Sequence, residues 1–254
     1  MGALRADSQQ AFAQPPDPRK ERSGLSKVMW FGVIQLVGLA VGGAFALYII
    51  IAVFSSIATL APSFNQTYGA VPTSPPINET SRAFAALGPV FHNLLLFYPV
   101  SIVIDLAAIS LLTLGFRDLG KADRARFSTP STFMLVLIAG TFISAAGGLL
   151  LFSNFSNLLS MSLASHGPPP SAESLALVGS FFLGVIVAIT GGIIGIIGFV
   201  GGTMLGLWRL GSRYDETTLK IAAIFMIIPL LDIISPILVI VGTVGARNRL
   251  VLPQ

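Results

Sequence analysis

Two aspartates stand inside long apolar runs of this chain, where charged side chains are rare. Asp105 comes 12 residues before Arg117, and Asp232 comes 12 residues after Lys220. If both runs are helices, a rise of about 1.5 Å per residue puts each carboxyl group roughly 18 Å from those basic residues. That depth is near the centre of a bilayer, where an ionised carboxylate is costly unless it is protonated or paired.

Asp105 and Asp232 therefore have two interpretations. No Lys or Arg stands at matching depth in another run, so the functional interpretation is a proton or cation shared by the two carboxyl groups. The alternative, which we favour, is a pair of protonated acids that hydrogen-bond neighbouring helices and stabilise the bundle. The candidate hydrogen-bond partners are Ser101, Ser110, Thr141, Ser144, Thr190 and Ser235.

The remaining composition argues against most other chemistry. Cysteine is absent, and the two histidines, His92 and His166, stand in unrelated contexts. Disulfides, thiolate chemistry and a metal site of His and Cys ligands are therefore excluded, and no cofactor is expected. The sequence predicts no enzyme, because no loop is long enough for a catalytic domain and no nucleophile stands with a base. The basic residues stand at the ends of apolar runs, which argues against nucleic acid as a partner.

Apolar residues dominate the chain, since 54% of the 254 residues are hydrophobic, only 10% are charged and the mean hydropathy is +0.83. A soluble domain carries about a quarter charged residues, so a lipid bilayer is the expected surrounding. We predict an all-α membrane bundle over residues 28–250, behind a disordered basic tail at residues 1–27. Runs of about 20 apolar residues suffice to cross a bilayer. The five predicted spans are residues 30–58, 88–114, 131–158, 175–208 and 219–245.

The fifth run allows a second interpretation. Pro229, Asp232 and Pro236 interrupt it, and proline breaks or kinks a helix. We favour a single kinked span. The alternative is a re-entrant pair of half-helices, which would return the C-terminus to the side of the N-terminus.

Basic residues predict the orientation, because Lys and Arg concentrate on the cytoplasmic side of membrane proteins. With five spans, twelve of the 15 Lys and Arg residues fall on the side of the N-terminus, and the other three are Arg82, Arg247 and Arg249. We predict a multi-pass protein of the cell membrane with a cytoplasmic N-terminus. Two Asn-x-Thr patterns agree with this orientation, since Asn65 and Asn78 fall in the first outside loop as candidate glycosylation sites.

One seven-residue pattern occurs twice. LGFRDLG at residues 114–120 returns as LGLWRLG at residues 205–211, with four identical positions. Each copy closes an apolar run, so we predict two similar hairpins of the same orientation, at residues 83–164 and 174–245. Gly120 and Gly211 are predicted helix C-caps, where a left-handed backbone costs glycine little.

The fourth run carries small residues at helical spacing. These predicted packing positions are Gly191, Gly195, Gly198, Gly202 and Gly206. Such a stripe lets another backbone approach closely, within the bundle or in a contact with a second copy or a membrane partner. We favour packing within the bundle.

Two segments carry a family resemblance. WRLGSRY at residues 208–214, followed by an apolar helix from Lys220 to Gly245, resembles the membrane family catalogued as domain of unknown function 973. GFRDL at residues 115–119, with Asp123 and Phe127 after it, is similar to that family's central loop. The resemblance implies a multi-pass membrane protein of archaeal origin, and it brings no activity and no catalytic residues.

Two functions follow from these features. The favoured one is a non-enzymatic structural or accessory subunit of a membrane assembly, packed through the fourth span. The alternative is a small transporter or channel whose proton or cation site contains Asp105 and Asp232.

Overall fold

The computed structural model of the chain describes residues 18–67, 77–164 and 172–250, and its regular secondary structure within these ranges is helical. Residues 1–17 of the predicted tail lie outside the described ranges, whereas residues 18–27 are the first turns of a helix and not disordered. The long helices are α1 (Pro18–Thr67), α2 (Ile77–Ala122), α3 (Arg124–Ala164) and α4 (Ala172–Gly198). A π-helical segment (Phe199–Met204) continues α4 into α5 (Leu205–Arg213).

Four stretches of the described chain are long and apolar enough to cross a membrane. They are Pro18–Ser55, His92–Ala122, Arg124–Phe155 and Leu175–Arg213. Helices suit a bilayer because every backbone hydrogen bond is made within the segment itself. The all-α membrane fold is therefore confirmed, whereas a fifth span is not.

The fifth apolar run folds as a hairpin, so the prediction of a single kinked span was wrong. The run forms α6 (Thr217–Phe225), the single turn α7 (Pro229–Asp232) and α8 (Ser235–Arg249). With nine residues, α6 rises about 14 Å, which is less than half of a hydrocarbon core about 30 Å thick. Pro229 is the first residue of α7 and Pro236 is the second residue of α8, where the N–H that proline lacks is not needed for an intrahelical bond.

Helices α6 and α8 run antiparallel and pack along each other. Near the fold of the hairpin, the Ser235 hydroxyl donates to the Ala222 carbonyl at 3.1 Å. At the open end, Gly242 lies so close to Leu219 that an added Cβ would stand 2.7 Å from its Cγ. The chain therefore returns to the end of the bundle at which α6 begins, as in the re-entrant alternative.

The glycines that end the two copies of the repeated heptad do not have the predicted conformation. Gly120 and Gly211 both lie inside helices, and no described glycine has a positive φ, so the predicted left-handed C-caps are wrong. The left-handed residue after α5 is Asp215, with φ 51°. Gly211 instead allows a close return of the chain, since an added Cβ would stand 2.8 Å from the Glu216 carbonyl oxygen. The predicted second hairpin also differs from the first, because α6 is too short to match α3.

The described residues form two compact units. Unit 1 takes its residues from Met1–Val37, Asp105–Gly140 and Ile194–Gln254, and unit 2 from Gly38–Ile104 and Thr141–Ile193. The largest fully buried side chains, which form the core of unit 1, are Phe31, Phe116, Phe127, Leu25, Leu112, Leu119, Met134, Leu207, Leu210 and Leu219. In unit 2 the rings of Phe45 and Phe97 stack at 3.9 Å between α1 and α2.

Candidate functional site

Asp105 lies on the same face of α2 as two core residues. Ala108 and Leu112, three and seven residues further along the helix, are buried in the core of unit 1, whereas Asp105 is exposed. Residues at this spacing share one face of a helix, so Asp105 marks the level at which that face leaves the core.

Asp232 is the last residue of α7 and is half-buried. Its backbone N–H donates to the Ile228 carbonyl at 2.9 Å. Among the described residues, neither its carboxyl group nor that of Asp105 has a hydrogen-bond or ion-pair partner, and no group of three His, Cys, Asp or Glu side chains could hold a metal ion. The proton or cation site therefore stays a prediction.

The fold of the hairpin, residues 226–234, exposes a cluster of large aliphatic side chains, and we call it the hairpin tip. Its exposed side chains are Ile227, Ile228, Leu230, Ile233 and Ile234, with Leu230 the most open at 82%. Several backbone hydrogen bonds here join residues three apart, such as Leu231 N–H to the Ile228 carbonyl at 2.8 Å. The hairpin tip therefore combines an irregular backbone with an apolar surface.

In unit 1, two glycines of the fourth apolar run lie directly against α3. A Cβ added at Gly198 would stand 2.3 Å from the backbone nitrogen of Leu137, and one at Gly202 would stand 2.7 Å from the sulfur of Met134. Real Cβ atoms essentially never come within 3.0 Å of such neighbours. Gly198 therefore requires glycine for the observed spacing of the helices, whereas a larger residue at Gly202 would first displace the Met134 side chain.

The other three glycines of the predicted stripe differ from one another. In unit 1, a Cβ added at Gly206 would stand 2.2 Å from a carbon of the Phe116 ring. In unit 2, a Cβ at Gly191 would stand 2.2 Å from the backbone nitrogen of Ser144. Gly195 has no such neighbour within 4 Å, so it lies beside open space.

The predicted glycosylation sites, Asn65 and Asn78, lie at helix ends. Asn65 lies at the end of α1 and Asn78 at the start of α2, and their side chains are outside the described part of the structure. Their modification stays a prediction.

Charged side chains form a network at one end of unit 1, and we call it the charged layer. Its members are Glu21, Lys27, Asp118, Lys121, Asp123, Arg213, Glu216 and Arg249. At its centre the Arg213 guanidinium donates to both Glu21 and Asp123. Glu21 is only 4% exposed, so this network reaches into the interior.

Two further ion-pair groups belong to the charged layer. Lys27 of α1 donates to Asp118 of α2, which also accepts from Lys121 at 3.0 Å. Arg249, at the end of α8, donates to the Tyr214 carbonyl at 2.7 Å and lies 3.4 Å from a carboxylate oxygen of Glu216. The end of α8 is thus held beside the turn between α5 and α6, so Arg249 does not lie on the opposite side, as five spans required.

The sequence gives little signal for this network. Arg213 is separated from Asp123 by 90 residues and from Glu21 by 192. Glu21 stands in a segment that reads as a disordered tail. Only the presence of acidic residues inside basic segments points to pairing, and it does not identify the partners.

Tyr214 lies beside the centre of the charged layer. Its side chain is 8% exposed, and burial, together with the negative charge of Glu21, raises the pKa of Tyr214 to about 12. The ring also lies 5.8 Å from the Arg213 guanidinium carbon, in cation–π range. Tyr214 therefore remains neutral in the folded protein at physiological pH.

This raised pKa predicts an alkaline weakening of the fold. Above about pH 10 the unfolded chain releases the Tyr214 proton while the folded chain keeps it, so the free energy of unfolding falls as pH rises. The loss reaches on the order of 2 kcal/mol at pH 12. We expect Tyr214→Phe to flatten the fall in thermal stability between pH 9 and pH 11.5 in detergent. Identical pH profiles for the two proteins would contradict this assignment.

The sequence of this chain matches a known protein family. No curated protein and no solved structure matches the chain. The family described as "Protein of unknown function (DUF973)" matches residues 37–251, which include most of α1 and all of α2 to α8. This range covers most of the 254 residues, and it is consistent with the WRLGSRY and GFRDL segments. The chain is a membrane protein that belongs to the family Protein of unknown function (DUF973).

Proposed function

We propose that this protein is a non-enzymatic subunit of a membrane assembly and that a partner protein covers the hairpin tip. The observation that carries this proposal is the combination of irregular backbone and exposed aliphatic side chains at residues 226–234. Irregular backbone at membrane depth occurs where protein buries it or where it lines a water-filled cavity.

The depth of the hairpin tip follows from its neighbours. A Cβ at Gly32 would stand 3.0 Å from the Pro236 carbonyl oxygen, so α1 and the start of α8 are in contact there. Gly32 lies five residues beyond Lys27 of the charged layer, which is about 8 Å along a helix. The hairpin tip precedes Pro236 and continues away from the charged layer, so it lies within the hydrocarbon region.

The charged layer gives the orientation of the proposed subunit. Lys and Arg concentrate on the cytoplasmic side of membrane proteins, so we assign the charged layer to the cytoplasm. The N-terminus and the C-terminus then both lie in the cytoplasm, and the hairpin enters the membrane from that side. This orientation also removes the exception that Arg247 and Arg249 make to the positive-inside rule.

The aliphatic character of the hairpin tip favours a protein cover over a water-filled cavity. Five large exposed aliphatic side chains lie along the irregular backbone, and contact between such side chains and water is unfavourable. Lipid tails match the side chains but cannot hydrogen-bond the backbone groups that helix ends leave without an intrahelical partner. A transmembrane segment with small or hydroxyl side chains supplies both kinds of contact.

Site-specific photo-crosslinking tests the proposal. A benzophenone amino acid replaces Leu230 of the hairpin tip or, as the matched control, Leu135 of α3, which is 61% exposed on a regular helix. We expect Leu230 to give an adduct with one companion protein that also copurifies at fixed ratio in mild detergent. Leu135 should give lipid adducts. Only lipid adducts at both positions, with a particle that contains this chain alone, would overturn the proposal.

The transport alternative predicts a different result. Purified chain alone in liposomes would then show proton- or cation-dependent flux, lost with Asp105→Asn and Asp232→Asn while the fold is retained. We expect no such flux. Its detection, with loss in both variants, would replace the subunit proposal with a transport function.

A further inference from the structure

One outer edge of unit 1 carries two arginines side by side. Arg126 lies in the first turn of α3, and Arg209 lies in the middle of α5. Arg209 Nη1 donates to the backbone carbonyl of Arg126 at 2.6 Å, so the two helices touch at this level. We call this edge the arginine seam, formed by Arg126, Phe133, Gly201, Trp208 and Arg209.

The arginine seam carries positive charge that the protein does not neutralise. Among the described residues, Arg209 has no carboxylate partner, and its bond to a neutral carbonyl leaves its charge uncompensated. The Arg126 side chain is 53% exposed and lies 3.6 Å from Asp123, which also accepts from Arg213. One carboxylate thus serves two guanidinium groups, and the arginine seam remains positively charged.

An apolar surface continues from these arginines toward the membrane. Phe133 follows Arg126 by seven residues, so it lies on the same face of α3, about 10 Å deeper. Its ring covers Gly201, where an added Cβ would stand 2.5 Å from ring carbons. Trp208 precedes Arg209 and is 45% exposed, and tryptophan is enriched at the level of lipid headgroups.

We propose that the arginine seam binds an anionic phospholipid. The lipid phosphate contacts the guanidinium groups of Arg126 and Arg209, Trp208 lies at the level of the glycerol backbone, and one acyl chain runs along Phe133. Guanidinium groups bind phosphate oxygens through paired N–H donors, which favours arginine over lysine here. The apolar surface of Phe133 favours a lipid over free phosphate, because only a lipid has an apolar chain that can pack against it.

Lipid retention on the purified full chain tests this site. Native mass spectrometry compares phosphatidylglycerol with phosphatidylcholine of the same acyl chains, for the wild-type protein and for Arg126→Gln/Arg209→Gln. The matched control is Arg22→Gln/Arg117→Gln, which removes the same charge from exposed residues elsewhere at this end of the chain. We expect retained phosphatidylglycerol to fall about tenfold in the seam variant and no more than about twofold in the control. Bound phosphatidylcholine should not change.

Three outcomes would overturn the proposal. Equal losses in the two double variants would show diffuse attraction to the whole basic surface. Displacement of phosphatidylglycerol by millimolar inorganic phosphate would show a phosphate site without lipid selectivity. An Arg126→Lys/Arg209→Lys variant keeps the charge but loses the paired N–H donors, so its binding should lie between that of the wild-type protein and that of the glutamine variant. A lowered melting temperature of the glutamine variant in detergent would trace its loss of lipid to the fold.

Discussion

Gly198→Leu should prevent stable folding, whereas Gly195→Leu, one helical turn away, should be tolerated. At Gly198 even a Cβ would stand 2.3 Å from a backbone atom of Leu137, so α3 and α4 must separate to admit a leucine. Overpacking costs about 1–3 kcal/mol where side chains can shift, and a backbone neighbour moves less easily, so we expect more than about 3 kcal/mol. A Cβ added at Gly195 would have no such neighbour within 4 Å, so a leucine side chain has room there.

Fluorescence-detected size-exclusion and thermal melting in detergent measure this difference. The pair is matched, since both variants add the same side chain to the same helix. Comparable melting temperatures for Gly198→Leu and the wild-type protein would contradict the observed contact between α3 and α4. If Gly195→Leu folds but loses a copurifying companion, the fourth span contributes to the assembly together with the hairpin tip.

Arg213→Gln should destabilise the protein by about 3–5 kcal/mol, because it leaves a buried carboxylate without its cation. The Glu21 side chain is 5% exposed and the Arg213 side chain 18% exposed, so water cannot replace the lost bond. Lys121→Gln removes a cation from an ion pair in which the lysine is 54% exposed, and it should cost less than about 1 kcal/mol.

A double variant separates the ion pair from other effects. Glu21→Gln in the Arg213→Gln background removes the uncompensated charge and should recover most of the lost stability. Unfolding curves of the wild-type protein, the two single variants Glu21→Gln and Arg213→Gln, and the double variant in one detergent give the coupling energy. A cost below about 1 kcal/mol for Arg213→Gln, or no recovery in the double variant, would show that this pair does not hold the charged layer together.

The four spans were predictable because hydropathy alone identifies a segment that must satisfy its own backbone. The fifth run has the same composition, but hydropathy does not report how far a chain travels before it turns. Pro229 and Pro236 marked both breaks in the sequence. Whether the helices on either side of these prolines form one kinked span or fold back on each other depends on tertiary contacts. One such contact is the hydrogen bond of Ser235 to Ala222, which no local sequence pattern reveals.

The charged layer shows a different limit of sequence analysis. Lys27 and Asp118 are 91 residues apart and belong to different helices, so no local pattern connects them. Asp105 and Asp232 show the converse, since each is obvious in sequence as a carboxylate within an apolar run. Their similar predicted depth does not show that the two carboxyl groups touch. Depth gives the position of a side chain along the membrane normal, but not the face of the helix on which it lies.

The bond between Arg213 and Glu21 also sets an order of events during synthesis. Glu21 is synthesised 192 residues before Arg213, which at about 5–20 residues per second is an interval of about 10–40 s. During that interval the Glu21 carboxylate cannot make this bond, although α1 and the two helices after it have already been synthesised. The first turn of α1 therefore makes this contact only after the fourth span has been synthesised, so a helix that is made early reaches its final packing late.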